Sequence, residues 1–129
     1  MIVVDSAAIV DSLSCLDDTA DLRKMLATEE LHAPALLDFE VVSALRGLAL
    51  AGHLSPHRAH DLLTDYHDLP LRRWAFADSL RRRAFQLRNN ISAYDAAYVA
   101  LAETLECPLI TRDARLARST GHTAQITIY

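Results

Sequence analysis

Apolar residues in this chain alternate between short unbroken runs and longer stretches at helical spacing. Ile2-Val3-Val4 is a β-branched run that reads as a buried strand. A short helix over Ser6–Ser14 follows, and Asp17-Asp18-Thr19 starts another that continues through Ala20–Ala27. Leu31-His32-Ala33 is a second strand. Pro34 suits a first helical position, so a long helix is placed from Ala35 to Ala51, with Gly52 as its stop. Ser55-Pro56 caps a further helix to Leu69, which Pro70 breaks. Leu71–Trp74 reads as the third strand and Asp78–Arg88 as a helix ended by Asn89-Asn90. A helix from Ser92 to Leu105 follows, then a strand over Leu109–Thr111 and a helical turn over Arg115–Arg118. Gly121 breaks the chain before the alternating segment Gln125–Tyr129. Strands that alternate with helices imply an α/β fold with a mainly parallel sheet, covered on both faces. Functional side chains in such sheets gather at the C-terminal strand ends.

Composition narrows the picture. At 129 residues the chain is expected to form a single domain spanning 1–129, and 51% hydrophobic content is enough for a core. No apolar run is long enough to span a bilayer, and the N-terminus lacks the pattern of a secretory signal, so a cytoplasmic location is expected. Cys15 and Cys107 have no metal-like spacing and read as buried or half-buried free thiols. The net charge of −4 gives no global nucleic-acid signature. The cations are uneven, however: Lys24 is the only lysine, and Arg72, Arg73, Arg81, Arg82, Arg83 and Arg88 share one segment. Arg112, Arg115 and Arg118 form a second group. Arginine suits phosphate recognition, although a solvated helix face explains either group alone.

Four carboxylates carry the chemistry. Asp5 ends the first strand, and Asp113 follows the fourth. Asp95 lies in the third position of an Ala-rich helix begun by Ser92. Glu40 sits among apolar neighbours in the long helix, on the face of Leu36, Leu37, Ala44 and Gly47. Helix capping accounts for Asp5, Asp95 and Asp113 taken singly. No cap explains Glu40. Carboxylates on apolar elements are costly to bury unless paired, protonated or bound to a cation. If the four converge, Mg2+ or Mn2+ is the natural partner, since both prefer oxygen ligands. With three glycines in the chain there is no phosphate-cradling loop.

At these residues the chain resembles the PIN-domain nucleases, and specifically the VapC-type toxins of bacterial toxin–antitoxin pairs. Ile2-Val3-Val4-Asp5-Ser6 is similar to the family's first strand and acid, and Glu40 with Val41–Arg46 to its Glu-bearing helix. Tyr94-Asp95-Ala96-Ala97-Tyr98-Val99-Ala100-Leu101-Ala102 is the most specific match, and Pro108–Leu116 resembles the closing motif. Many members carry Asn where Ser43 stands. The resemblance implies a three-layer α/β/α sandwich and a Mg2+- or Mn2+-dependent endoribonuclease that leaves 5′-phosphate and 3′-hydroxyl ends. It implies a cognate VapB-type antitoxin and a homodimer. Asp5, Glu40, Asp95 and Asp113 would hold the metal, with Ser6 and Thr111 supporting them by hydrogen bonds. Arg112, Arg115 and Tyr94 are candidate RNA contacts.

Two other function classes fit the residues less well. A receiver-type signalling module needs a phosphorylatable Asp at a mid-chain strand end and a late Lys, and neither is present. A non-catalytic PIN-like RNA-binding protein would lack at least one acid, and all four are here. His53, His57 and His60 have a spacing compatible with zinc, but His53 falls outside the helix, so a polar helix face is the simpler reading. The run Arg81–Arg83 could track an RNA backbone, dock an antitoxin or simply be solvated. Trp74 and Phe76 read as core aromatics, whereas Tyr94 is placed to meet a base.

Overall fold

The computed structural model describes residues 1–129. Its elements in chain order are β1 (Ile2–Val4), α1 (Ser6–Leu13), α2 (Ala20–Thr28), β2 (Leu31–Pro34), α3 (Leu36–Leu50), α4 (Pro56–Asp68), β3 (Leu71–Trp74), α5 (Asp78–Gln86), α6 (Ala93–Leu105), β4 (Leu109–Thr111), α7 (Ala114–Ala117) and β5 (Ile126–Ile128). The expected α/β alternation is present, with small differences at element ends. One has a clear cause: Pro34 ends β2 instead of opening α3. Its register partner is Trp74 of β3, and the next N–H, that of Ala35, donates to the Trp74 carbonyl at 2.9 Å. Proline lacks an N–H, but its carbonyl and fixed φ suit a strand end.

The five strands run in the order β3-β2-β1-β4-β5, and every pairing is parallel. Parallel strands covered on both faces are mainly apolar, as β1 is throughout and β4 is but for Thr111; each is completely buried. Successive crossovers step from β1 to β2 to β3 in one direction, then return across β1 to β4 and β5. Because such crossovers are right-handed, the reversal sends α1–α4 to one face and α5–α7 to the other. The packing agrees: α1 contacts α2, α3 and α4, while α6 packs on α5 and against β1 and β2. This is the three-layer sandwich. The order also differs from the 2-1-3-4-5 sheet typical of receiver domains, which removes that reading.

The core runs along α6, where seven consecutive residues from Ala96 to Ala102 are buried, and meets Ile9, Leu22, Leu37, Leu62 and Leu109 from the other elements. The alanines let α6 lie close to the sheet, and Tyr98 is the largest fully buried side chain. Two assignments are corrected. Phe76 is exposed, because it lies in the open segment between β3 and α5. Cys15 is also exposed, at a left-handed turn after α1 (φ 54°), while Cys107 is buried; both are free thiols. No helix is long and apolar enough to cross a membrane.

Candidate functional site

The reversal in strand order falls between β1 and β4, so their C-terminal ends diverge into opposite crossovers and open a crevice. Asp5 and Asp113 stand at those two ends. Asp5 is the N-cap of α1, and its Oδ1 accepts the Ala8 N–H at 2.9 Å. Asp113 is the N-cap of α7, with its Oδ1 accepting the N–H groups of Arg115 and Leu116 at 2.8 and 3.4 Å. Thr111, fully buried at the end of β4, joins the two. Its hydroxyl donates to Asp5 Oδ2 and accepts the Asp113 N–H at 2.9 Å. Both ends of the linkage are thereby fixed by backbone. Ser6, by contrast, opens α1 and its hydroxyl bonds none of the four acids.

Glu40 reaches the crevice from the first turns of α3. The Tyr98 hydroxyl, one turn into α6, donates to its Oε1 at 2.5 Å. Since α3 and α6 belong to opposite layers, this bond closes over the C-terminal edge of the sheet. Burial foremost, then Glu40, holds the Tyr98 phenol well above its usual range, so it stays a donor. Asp95 lies near the start of α6. The Ser92 hydroxyl accepts its N–H at 3.2 Å, which is half of a capping box. Its carboxylate turns away from Ser92 to Arg115, whose Nη2 lies 3.4 Å from Asp95 Oδ2 and 3.3 Å from Asp113 Oδ2.

The charges are held in tension. Burial pushes the Asp5 carboxyl up to about 6; its hydrogen bonds from Thr111 and Ala8 oppose that, and the negative charges of Glu40 and Asp113 add to it. Burial also acts to raise Asp113, but the N–H and guanidinium of Arg115 and the N–H of Leu116 outweigh it and hold that carboxyl below the usual range. Asp5 thus feels both Glu40 and Asp113 as like charges, and Asp113 and Asp95 share a guanidinium. The donor set is wholly oxygen and anionic, which suits a hard divalent cation. As the side chains lie, no three His, Cys, Asp or Glu residues form a closed cage. Glu40 is turned to Tyr98, and Arg115 occupies the position between Asp95 and Asp113 that an ion would compete for.

The other candidates separate clearly. Arg112 is spent on structure: Nε meets Asp11 at 2.6 Å and Nη2 meets Asp18 at 2.7 Å, leaving the side chain 15% exposed. In this arrangement its guanidinium is engaged by carboxylates and largely turned from solvent. Arg115 and Tyr94 are open to solvent, at 76% for the Arg115 side chain and 65% for Tyr94. His53, His57 and His60 are all exposed, and His57 pairs loosely with Asp61 at 3.9 Å. Within the Arg81–Arg83 run, Arg83 is bound to Glu103 at 3.0 Å, and Arg81 and Arg82 flank Asp78. Two features were missed in the sequence. One is Tyr98 as the holder of Glu40, 58 positions away. The other is Asp38, whose Oδ1 accepts both the Tyr66 hydroxyl at 2.6 Å and Arg73 Nε at 2.8 Å, tying α3 to α4 and β3. Only tertiary contact reveals such pairs.

Comparison with known proteins places this geometry. The PIN domain family model matches residues 2–121. Ribonuclease VapC12 of Mycobacterium tuberculosis is 41% identical over 99% of this chain and 98% of its own length. Ribonuclease VapC1 of the same species is 39% identical over 98% and 96%. Among solved structures, M. tuberculosis VapC20, described as a sarcin-ricin loop cleaving toxin, superposes with a TM-score of 0.69 at 13% identity, over 95% of this chain and 97% of that one. VapBC2 from Rickettsia felis, bound to a promoter DNA fragment, gives 0.68 at 12% identity over 98% of each. At those identities the structural likeness speaks for the fold.

Proposed function

Because the chain belongs to the PIN domain family, in its VapC ribonuclease branch, we propose that it is the toxin of a type II toxin–antitoxin pair, an endoribonuclease hydrolysing RNA phosphodiester bonds. The observation that carries the chemistry is the crevice between β1 and β4. There Thr111 couples Asp5 to Asp113, and Glu40 and Asp113 lie close enough to oppose the ionisation of Asp5. Asp5, Glu40, Asp95 and Asp113 would hold a divalent cation, Mg2+ or Mn2+. When bound, that ion supplies an activated water and charge to offset the leaving oxygen.

The chain's own residues do the rest. Thr111 and the Ala8 N–H fix the rotamer of Asp5 and leave it little freedom. Tyr98 aims the Glu40 carboxylate over the edge of the sheet. Arg115 neutralises Asp95 and Asp113 and, being exposed, can turn to a substrate phosphate once they are engaged. Tyr94, on the rim of α6, offers a ring to a base beside the cut.

The partner we propose is a VapB-type antitoxin; several of the structural neighbours are toxin–antitoxin complexes. A second copy is proposed on α3, where Phe39, Val42 and Leu50 leave an apolar stripe in solvent. The place of action proposed is the cytoplasm. The test of the activity is direct. Asp5→Asn and Asp95→Asn should each abolish Mg2+- or Mn2+-dependent cleavage of cellular RNA while circular dichroism stays unchanged. Full cleavage by both variants would remove the reading.

A further inference from the structure

A second surface adjoins the crevice and takes no part in the carboxylate chemistry. A groove of about 340 Å³ lies between α5 and the start of α6, lined by Phe76, Arg81, Phe85, Arg88, Ile91 and Ser92 among others. No acidic side chain lines it. Phe85 is 67% exposed, so one face of its ring is open to a ligand. The Arg88 guanidinium lies 4.5 Å from the centre of that ring, donates to the Phe85 carbonyl at 3.2 Å and pairs with no carboxylate. Phe76 closes the other wall, and Arg81 is tied to its carbonyl at 2.5 Å.

The groove lies next to Asp95 and Arg115. A smaller depression lined by Asp95, Arg115 and Asn90 shares Ile91 and Ser92 with it. A chain lying across Asp95 and Arg115 therefore passes over the Ser92 cap onto the Phe85–Arg88 pair. Tyr94 stands exposed at the same helix start. Aromatic faces beside Arg88, which has no carboxylate partner, next to a phosphate-cutting site match an unpaired nucleic-acid strand: rings stack on bases and a guanidinium group meets phosphate. The overall charge of −4 makes such a local patch necessary for holding a polyanion.

We propose that the Phe76–Phe85–Arg88 face is a base-stacking track for single-stranded RNA flanking the cut, with Phe85 as the principal platform. This rests on the ribonuclease reading and adds to it where the substrate strand leaves the site.

The test separates the two. Fluorescence anisotropy with a labelled single-stranded RNA 12-mer is measured on Asp5→Asn, which binds without cutting, and on Asp5→Asn combined with Phe85→Ala, Phe85→Leu, Phe85→Tyr or Arg88→Ala. Loss of one stacked base weakens affinity about 5- to 150-fold. Phe85→Ala and Phe85→Leu should both fall in that range, Phe85→Tyr should bind as the parent does, and Arg88→Ala should flatten the salt dependence. In the cleaving background, Phe85→Ala should raise KM more than it lowers kcat. Phe85 is exposed, so the fold is expected to survive, and circular dichroism checks this. Unchanged affinity in Phe85→Ala overturns the track while leaving the ribonuclease intact. Weakened binding in a protein that never cuts RNA supports the track and removes the ribonuclease. If Phe85→Leu binds as well as phenylalanine, or if Phe85→Ala turns a dimer into a monomer in sedimentation, the face is an ordinary apolar contact between copies and the proposal fails.

Discussion

Asp5 concentrates the conflict between folding and function. Its carboxyl is buried, accepts two hydrogen bonds and still rises to about 6. A carboxyl whose folded value lies above its unfolded one opposes folding where it is ionised in both states. The penalty is complete above about pH 6 and disappears as the pH falls towards the ordinary Asp value of 3.8. In EDTA, Asp5→Asn should therefore be more stable than the parent at pH 7, on the order of 1–3 kcal/mol from the size of the shift. Urea denaturation should find the gap closing near pH 4, and equal stability at pH 7 would argue against a buried charge there. The reverse holds for Tyr98. Tyr98→Phe removes the one donor to Glu40, so stability should drop by about 1–3 kcal/mol. Cleavage should weaken along with Mn2+ affinity in a titration, because Glu40 is no longer aimed. The sequence made Glu40 stand out, since no cap accounts for it, but it gave no sign of Tyr98. Residues 58 apart on helices of opposite layers share no local pattern.

At the scale of elements, the apolar runs and caps were legible because they depend on near neighbours. Ser55 and Ser92 cap α4 and α6 through their hydroxyls, and Asp5 and Asp113 cap α1 and α7, all as the spacing indicates. Pro34 reads as a helix start from sequence but ends β2, because the choice between the two depends on β3 alongside it. Glycine follows the same division. Gly121 is left-handed (φ 89°), and a Cβ there would lie 2.7 Å from the Asn90 side chain; Gly52 is left-handed too (φ 78°) but has open space around it. Gly121→Ala should cost about 1–2 kcal/mol from its backbone alone, with the displacement of Asn90 added. Gly52→Ala should cost the backbone part only, so thermal denaturation should find Gly121→Ala the less stable of the two. Equal melting temperatures would mean that Asn90 moves freely.

Across the whole molecule, α3 and the groove beside α5 each leave apolar side chains in solvent. Phe39, Val42 and Leu50 share one exposed face of α3 with Arg46 between them, and this is the face proposed to meet a second copy. With the proposed contact on this face, Val42→Asp should shift sedimentation from dimer to monomer without unfolding the chain. An unchanged sedimentation coefficient would remove the proposed contact on α3. The α/β class, the parallel sheet and the four acids followed from the sequence alone, because hydrophobic period and capping chemistry act over a few residues. The strand order, the reversal between β1 and β4, the Tyr98–Glu40 bond and the capture of Arg112 by Asp11 and Asp18 required the tertiary structure. Each depends on which distant segments become neighbours when apolar faces are buried, and that is settled by packing over the entire chain.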